Sequence, residues 1–285
     1  MKKFFKWTGI VFGGLIVLVV LVGAGLYFSA GARLDKTYDI KVEALTIPQD
    51  AAAIQSGKHW VSILCTECHG ENLAGGVIFQ DPALGQINAS NLTPGQGGVG
   101  KVYTDADWVR AIRHGVGPDG KPLLVMPSAD FYNINDQVLG EIIADLKSLP
   151  PVDKEVQSPE FKPLGQVLLA AGAFGNIITA ERIDQTAARP NPVAPAVSAE
   201  YGDYLSKIVG CRTCHGENFA GGKDPNPQAP PAPNITQSGS LKTWAGAEFI
   251  LAARTRTSEF MVWKDLSRMT DDELQALWLY LKTRN

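Results

Sequence analysis

Cysteine is scarce in this 285-residue chain, which has four, and all four fall in two Cys-x-x-Cys pairs, Cys65/Cys68 and Cys211/Cys214. None is left over for a structural disulfide, so the covalent staple of many exported proteins is excluded. Histidine is equally sparse, and two of the four, His69 and His215, directly follow those pairs. Methionine is limited to Met1, Met126, Met261 and Met269. Positive charge is short too: the formal net charge is −3, and Lys2, Lys3 and Lys6 sit together at the N-terminus. That balance excludes a nucleic-acid binder. Charge is missing altogether from residues 7–32.

Within that uncharged run, residues 10–28 are dominated by Val, Leu, Ile, Gly and Phe. A helix needs about 20 apolar residues to cross a bilayer, so this length suffices. The preceding lysines place the N-terminal end in the cytoplasm. A cleaved signal peptide is the competing reading, with Ala30-Gly31-Ala32 as an acceptable cleavage site. The apolar segment exceeds the usual signal core of about 7–15 residues, which favours a retained transmembrane anchor over residues 1–32. Either way everything after Ala32 is exported. A second apolar stretch, 164–178, is too short to span and is expected to pack against a domain.

The chain repeats itself. Cys68-His69-Gly70-Glu71-Asn72-Leu73-Ala74-Gly75-Gly76 recurs as Cys214-His215-Gly216-Glu217-Asn218-Phe219-Ala220-Gly221-Gly222, and Asn91-Leu92-Thr93-Pro94 answers to Asn234-Ile235-Thr236-Gln237. Each copy continues with a Trp-containing helical segment (105–114 and 244–254), then a methionine loop, then a helix with apolar residues at three- and four-residue spacing (136–149 and 271–282). Thr270 with Glu273 makes a capping box for the last of these, and Pro150-Pro151 ends its counterpart. The expected architecture is mainly α: the anchor, a domain at 50–152, a proline-rich semi-rigid linker at 153–197, and a second domain at 198–285.

Both cysteine pairs are followed by histidine, in Cys65-Thr66-Glu67-Cys68-His69 and Cys211-Arg212-Thr213-Cys214-His215. This pentapeptide lets two thiols form thioethers with the vinyl groups of one haem while the histidine reaches its iron. A zinc ribbon would bring its pairs within about 15–20 residues, and a thioredoxin-like pair would need a βαβ context. Neither is visible. The expected cofactors are therefore two covalently attached haem c groups, held by Cys65, Cys68, Cys211 and Cys214, with His69 and His215 as iron ligands. Methionine on the opposite face is the usual arrangement in electron-carrying cytochromes c. Met126 and Met261 lie in matching loops and are the candidates; Met269, just before the cap Thr270, is the rival in the second copy. His59 and His114 suit surface or supporting roles.

The pattern resembles the class I cytochrome c domains of membrane dehydrogenase complexes, most of all the cytochrome subunit of bacterial alcohol and gluconate dehydrogenases. The resemblance is carried by Cys-x-x-Cys-His-Gly, Asn91-Leu92-Thr93-Pro94, the run Ala111-Ile112-Arg113-His114-Gly115-Val116-x-Pro118-Asp119-Gly120, Met126-Pro127 and Ser148-Leu149-Pro150-Pro151-Val152. In the second copy it continues through Met261-Val262-Trp263, Thr270-Asp271-Asp272-Glu273-Leu274 and Leu277-Trp278-x-Tyr280-Leu281. It implies two tandem class I cytochrome c domains with iron ligated by His69, Met126, His215 and Met261. The chain departs from that family in having two such domains rather than three, in lacking a proline after Met261, and in its N-terminal anchor.

The function expected on these grounds is one-electron relay on the outer, periplasmic face of the cytoplasmic membrane, with no bond-making chemistry of its own. Redox proteins would be the partners, within a larger membrane complex or as soluble proteins with basic docking patches. A dihaem subunit of a terminal oxidase or quinol-oxidising complex is the alternative of the same class. A peroxidase-like haem enzyme is the alternative of another class, and it would need an open iron position.

Overall fold

The computed structural model describes residues 2–189, 191–223 and 229–285; Met1 and Pro190, the first residue of the expected proline run, lie outside them. Helix α1 (Lys2–Leu34) runs unbroken for 33 residues. At about 1.5 Å per residue it is roughly 50 Å long, well beyond a hydrocarbon core of about 30 Å. Its first turns are exposed all round, whereas near the C-terminal end Leu26 and Tyr27 are half-buried and Ala30 is fully buried. The apolar length and the covered end therefore belong to different parts of one helix.

Beyond α1, the first half of the chain starts with α2 (Ala51–Leu64), capped by the Asp50 carboxylate accepting from Ala53 N–H. A one-turn helix, α3 (Thr66–His69), carries the first attachment motif. Next come α4 (Asp105–His114), α5 (Ser128–Phe131) and α6 (Asp136–Ser148). The second half repeats the order with α8 (Ala199–Ile208), α9 (Cys211–His215), α10 (Gly246–Thr255), α11 (Trp263–Leu266) and α12 (Asp271–Leu281). In each half the first helix crosses the last, α2 on α6 and α8 on α12. The crossing is close enough to demand glycine. A Cβ on Gly57 would lie 1.9 Å from the Glu141 carbonyl oxygen, and one on Gly202 would lie 2.0 Å from that of Ala276. Around the two crossings one continuous apolar core runs through both halves, with Trp60, Trp108, Leu139 and Ile143 from the first and Leu205, Phe219, Leu274 and Leu277 from the second.

Among the described residues, the following elements occur in the first half and not in the second, which keeps only the antiparallel bridge Gly222–Ala232 at the matching place. An antiparallel pair, β1 (Gly76–Asp81) and β2 (Gly85–Ala89), follows the attachment turn, and β3 (Glu160–Phe161) extends it on the β2 edge. Residues 153–189 hold secondary structure of their own. Beyond β3 lies α7 (Pro163–Ala170), which packs along α1 and buries Leu169 beside Ala30 and Phe161. The 164–178 stretch thus covers the end of α1 and the first half together. Arg33 of α1 ties the same segment down, donating to Glu181 at 2.7 Å.

Candidate haem-attachment sites

Each attachment turn is built by the same backbone bonds. In the first, Gly70 N–H donates to the Thr66 carbonyl, Leu73 N–H to Gly70, Gly75 N–H to His69, and Leu92 N–H to Leu73. In the second, Gly216, Phe219, Gly221 and Ile235 donate to Arg212, Gly216, His215 and Phe219 in the same order. The turn requires left-handed backbone at matched places: φ is +78° at Gly70 and +77° at Gly216, +57° at Leu73 and +61° at Phe219. Glycine adopts this freely. Leucine and phenylalanine do so at a cost, offset because both side chains are buried in the core.

The histidines are oriented alike. His69 Nδ1 lies 2.8 Å from the Ser90 carbonyl oxygen, and His215 Nδ1 lies 2.8 Å from that of Pro233. A carbonyl only accepts, so in both rings the proton sits on Nδ1 and the Nε2 lone pair is left for a metal. Burial holds the His69 imidazole below its usual value, against the opposing Ser90 bond, which keeps it in the neutral, ligating form. Behind each carbonyl an Asn-Thr pair locks the loop. The Asn91 side-chain oxygen accepts from both Thr93 N–H and its hydroxyl, and Asn234 does the same for Thr236.

The cysteines of each pair lie one helical turn apart, as attachment to one group requires. Burial pushes the Cys65 and Cys211 thiols up to about 12, so each is a neutral thiol. Among the described residues no group of three His, Cys, Asp or Glu is placed to hold a metal ion. The donor set at each turn is thus two thiols one helical turn apart and one imidazole with a free Nε2, which fits a haem joined by two thioethers and ligated on one face.

The methionines occupy corresponding positions. Met126 O accepts from Ser128 N–H at 2.8 Å, and Met261 O from Trp263 N–H at 2.7 Å. Pro127 has φ −79°, ψ 47°, and Val262 has φ −72°, ψ 48°, so valine reproduces the backbone that proline sets in the first half. Both methionines are half-buried against the core. Met269 takes a different place. The guanidinium of Arg113 donates to the Ile134 carbonyl and the Asp136 carboxylate, and Arg254 donates to Met269 and Asp271 in the same way. Met269 is therefore the counterpart of Ile134, both 1% exposed, and fills the core.

The remaining histidines form no part of this arrangement. His59 pairs with Glu273 of the second half at 3.0 Å, and His114 is buried with Nδ1 2.6 Å from the Gln185 side chain. The second role depends on the 153–189 segment, which the repeat pattern gave no reason to bring there.

No family model matches the chain. Over an alignment of 304 positions it is 27% identical to the cytochrome c subunit of alcohol dehydrogenase (quinone) from Gluconacetobacter polyoxogenes, covering 93% of this chain and 61% of that protein. It is 33% identical over 105 residues to the fructose dehydrogenase cytochrome subunit of Gluconobacter japonicus, covering 33% of this chain and 21% of that protein. It is 31% identical over 159 residues to a nicotinate dehydrogenase subunit of Pseudomonas putida, covering 53% and 13% respectively. The chain thus resembles cytochrome c subunits of dehydrogenases and spans about three-fifths of the alcohol dehydrogenase subunit that it matches.

Proposed function

We propose that this protein is a membrane-anchored dihaem cytochrome that relays single electrons outside the cytoplasmic membrane, as the cytochrome component of a dehydrogenase system. The observation that carries the reading is the repetition of the attachment turn, with the same backbone bonds and the same Nδ1-to-carbonyl orientation around two Cys-x-x-Cys-His motifs. Haem, when bound, supplies one-electron exchange at its iron. The chain would hold it through Cys65 and Cys68 in one half and Cys211 and Cys214 in the other. His69 with Met126, and His215 with Met261, would be its iron ligands. With a histidine and a methionine both committed to each haem, the protein would pass electrons and make no bonds.

The apolar stretch 10–28 of α1 is the membrane-spanning part in this reading, with Lys2, Lys3 and Lys6 on the cytoplasmic side. The burial of Ala30 supports a retained anchor, because cleavage at Ala30-Gly31-Ala32 would remove a packed piece of the first half. The similarity to dehydrogenase cytochrome subunits supports redox protein partners in a complex.

Mass spectrometry and magnetic circular dichroism of the full chain, expressed with haem-attachment machinery, test the proposal. Two covalent haems, each with the near-infrared methionine-to-iron band when oxidised, are expected. One haem per chain, or a high-spin iron in either half, would sink the dihaem carrier reading and move a ligand-binding or enzymatic role ahead.

A further inference from the structure

The two halves meet in an approximately twofold arrangement. Helix α11 packs on α2, and α5 packs on α8, so the short helix after each methionine lies against the helix leading into the other half's attachment turn. In one contact the Thr213 hydroxyl, inside the second attachment turn, donates to the Asp130 carboxylate of α5 at 3.2 Å. In the other, Asp265 of α11 stands where Asp130 stands, but it faces Glu67, a like charge in the place of Thr213. One carboxylate oxygen of Asp265 is buried with no hydrogen-bond partner.

Cations from the second half balance this second contact. Lys264 Nζ lies 2.6 Å from Glu71. The guanidinium of Arg268, only 18% exposed, donates to the Ser62 carbonyl and the Thr66 hydroxyl, and reaches the Glu71 carboxylate at 2.5 Å. These acceptors flank and enter the first attachment turn. Asn133, the counterpart of Arg268 in the first half, bonds among the described residues to Ala129 and Asp130 of its own half. The guanidinium grip therefore falls on the first attachment turn, whereas the second turn is held from the other half through the Asp130–Thr213 bond.

We propose that Arg268 is a positioning residue for electron exchange between the two haems: from the second half it fixes the turn that carries the first haem. This rests on the dihaem reading above. A haem joined by thioethers moves with its turn, and exchange between two irons falls steeply with their separation. The step itself oxidises one iron as it reduces the other, with no bond formed or broken. A guanidinium suits the task because its fork engages three acceptors at once, which a lysine ammonium at this place would not match in geometry. Without it Asp265, Glu67 and Glu71 keep Lys264 at the exposed rim but lose their buried counter-charge, and the contact loosens.

The test uses the full-length, two-haem protein in detergent. Intramolecular electron equilibration is followed after partial photoreduction, and both potentials are measured by spectral titration, assigned with Met126→Leu. Arg268→Gln is expected to keep both haems and both methionine bands, to slow equilibration severalfold, and to shift the potential of the first haem alone. Arg268→Lys should restore part of the rate, and Lys264→Gln, at the exposed rim, should leave it near that of the parent. An unchanged rate and unchanged potentials in a two-haem Arg268→Gln protein overturn the proposal. If that variant does not assemble, Glu71→Gln loosens the same grip from its exposed side; a smaller slowing supports the proposal, and an unchanged rate overturns it. A parent protein with a single haem removes the dihaem reading first, and this inference with it.

Discussion

The two halves share a scaffold and differ in what covers their methionine loops. Around Met126 the loop 115–125 is roofed by the 176–182 segment: Val125 N–H donates to the Ile177 carbonyl, Leu124 bridges to Ile178, and the Thr179 hydroxyl donates to the Met126 carbonyl at 2.7 Å. Around Met261 the loop 256–260 is shorter and, among the described residues, has no such roof; residues 255–259 are exposed. It borders a surface depression of about 400 Å³ lined in part by Arg256, Phe260, Trp263 and Glu67. Equal backbone at the two methionines thus coexists with unequal protection. A ligand held by a covered loop resists displacement and solvent, whereas one on an open loop gives its iron more access to water and partners.

The widest break in this comparison is expected where the halves are most alike. Gly57→Ala and Gly202→Ala each drive a Cβ into a facing carbonyl, so each should destabilise its own half by about 3 kcal/mol or more. Thermal unfolding followed through each haem's absorbance checks this; equal, small effects at both sites would mean that the crossings are looser than they look. Next in size are the proposed iron ligands. Met126→Leu and Met261→Leu should each abolish one methionine-to-iron band, and Met269→Leu should leave both bands and cost less than about 1.5 kcal/mol. Loss of a band in Met269→Leu would reverse the assignment in the second half.

A smaller effect separates the two inter-half carboxylates. Burial first, then Glu67, pushes the Asp265 carboxyl up to about 6, from an ordinary 3.8. The folded state then holds that proton more tightly than the unfolded chain. Its stabilising contribution is full below about pH 3.8 and is lost as pH rises towards 6. Asp265→Asn should flatten this part of the stability–pH curve and stabilise the protein at pH 7 by about 1–3 kcal/mol. Burial raises Asp130 as well, but Arg182 and the Thr213 hydroxyl oppose it, so Asp130→Asn should have a weaker effect of the same sign. Denaturant melts between pH 4 and 8 compare the two. The smallest effect concerns the roof: Thr179→Val should cost about 1 kcal/mol and ease the thermal loss of the Met126 band while leaving that of Met261 unchanged.

Much of the site was legible because its chemistry needs residues close in sequence. The attachment motif, the turn glycines and the Asn-Thr lock all lie within one local segment, so their spacing carries the geometry directly. The capping box at Thr270 and Glu273 was legible for the same reason and is present, with Thr270 N–H donating to the Glu273 carboxylate at 2.7 Å. The β1–β2 pair was not legible, since Val77-Ile78-Phe79 and Gln86-Ile87-Asn88 are too short and too irregular to announce strands. The short helices α5 and α11 escaped for want of a full period.

The sequence by itself therefore determined the repeat, the paired thiols and imidazoles, the apolar helix and the mainly helical character, all of which depend on local spacing and composition. Only the tertiary structure decided that residues 153–189 roof the first methionine loop and clasp the end of α1. It alone also set Met269 in the place of Ile134 and sent Arg268, but not Asn133, across to the other half. Those outcomes depend on which surfaces meet after burial. That choice is made by the packing of distant segments, and no short stretch of chain encodes it.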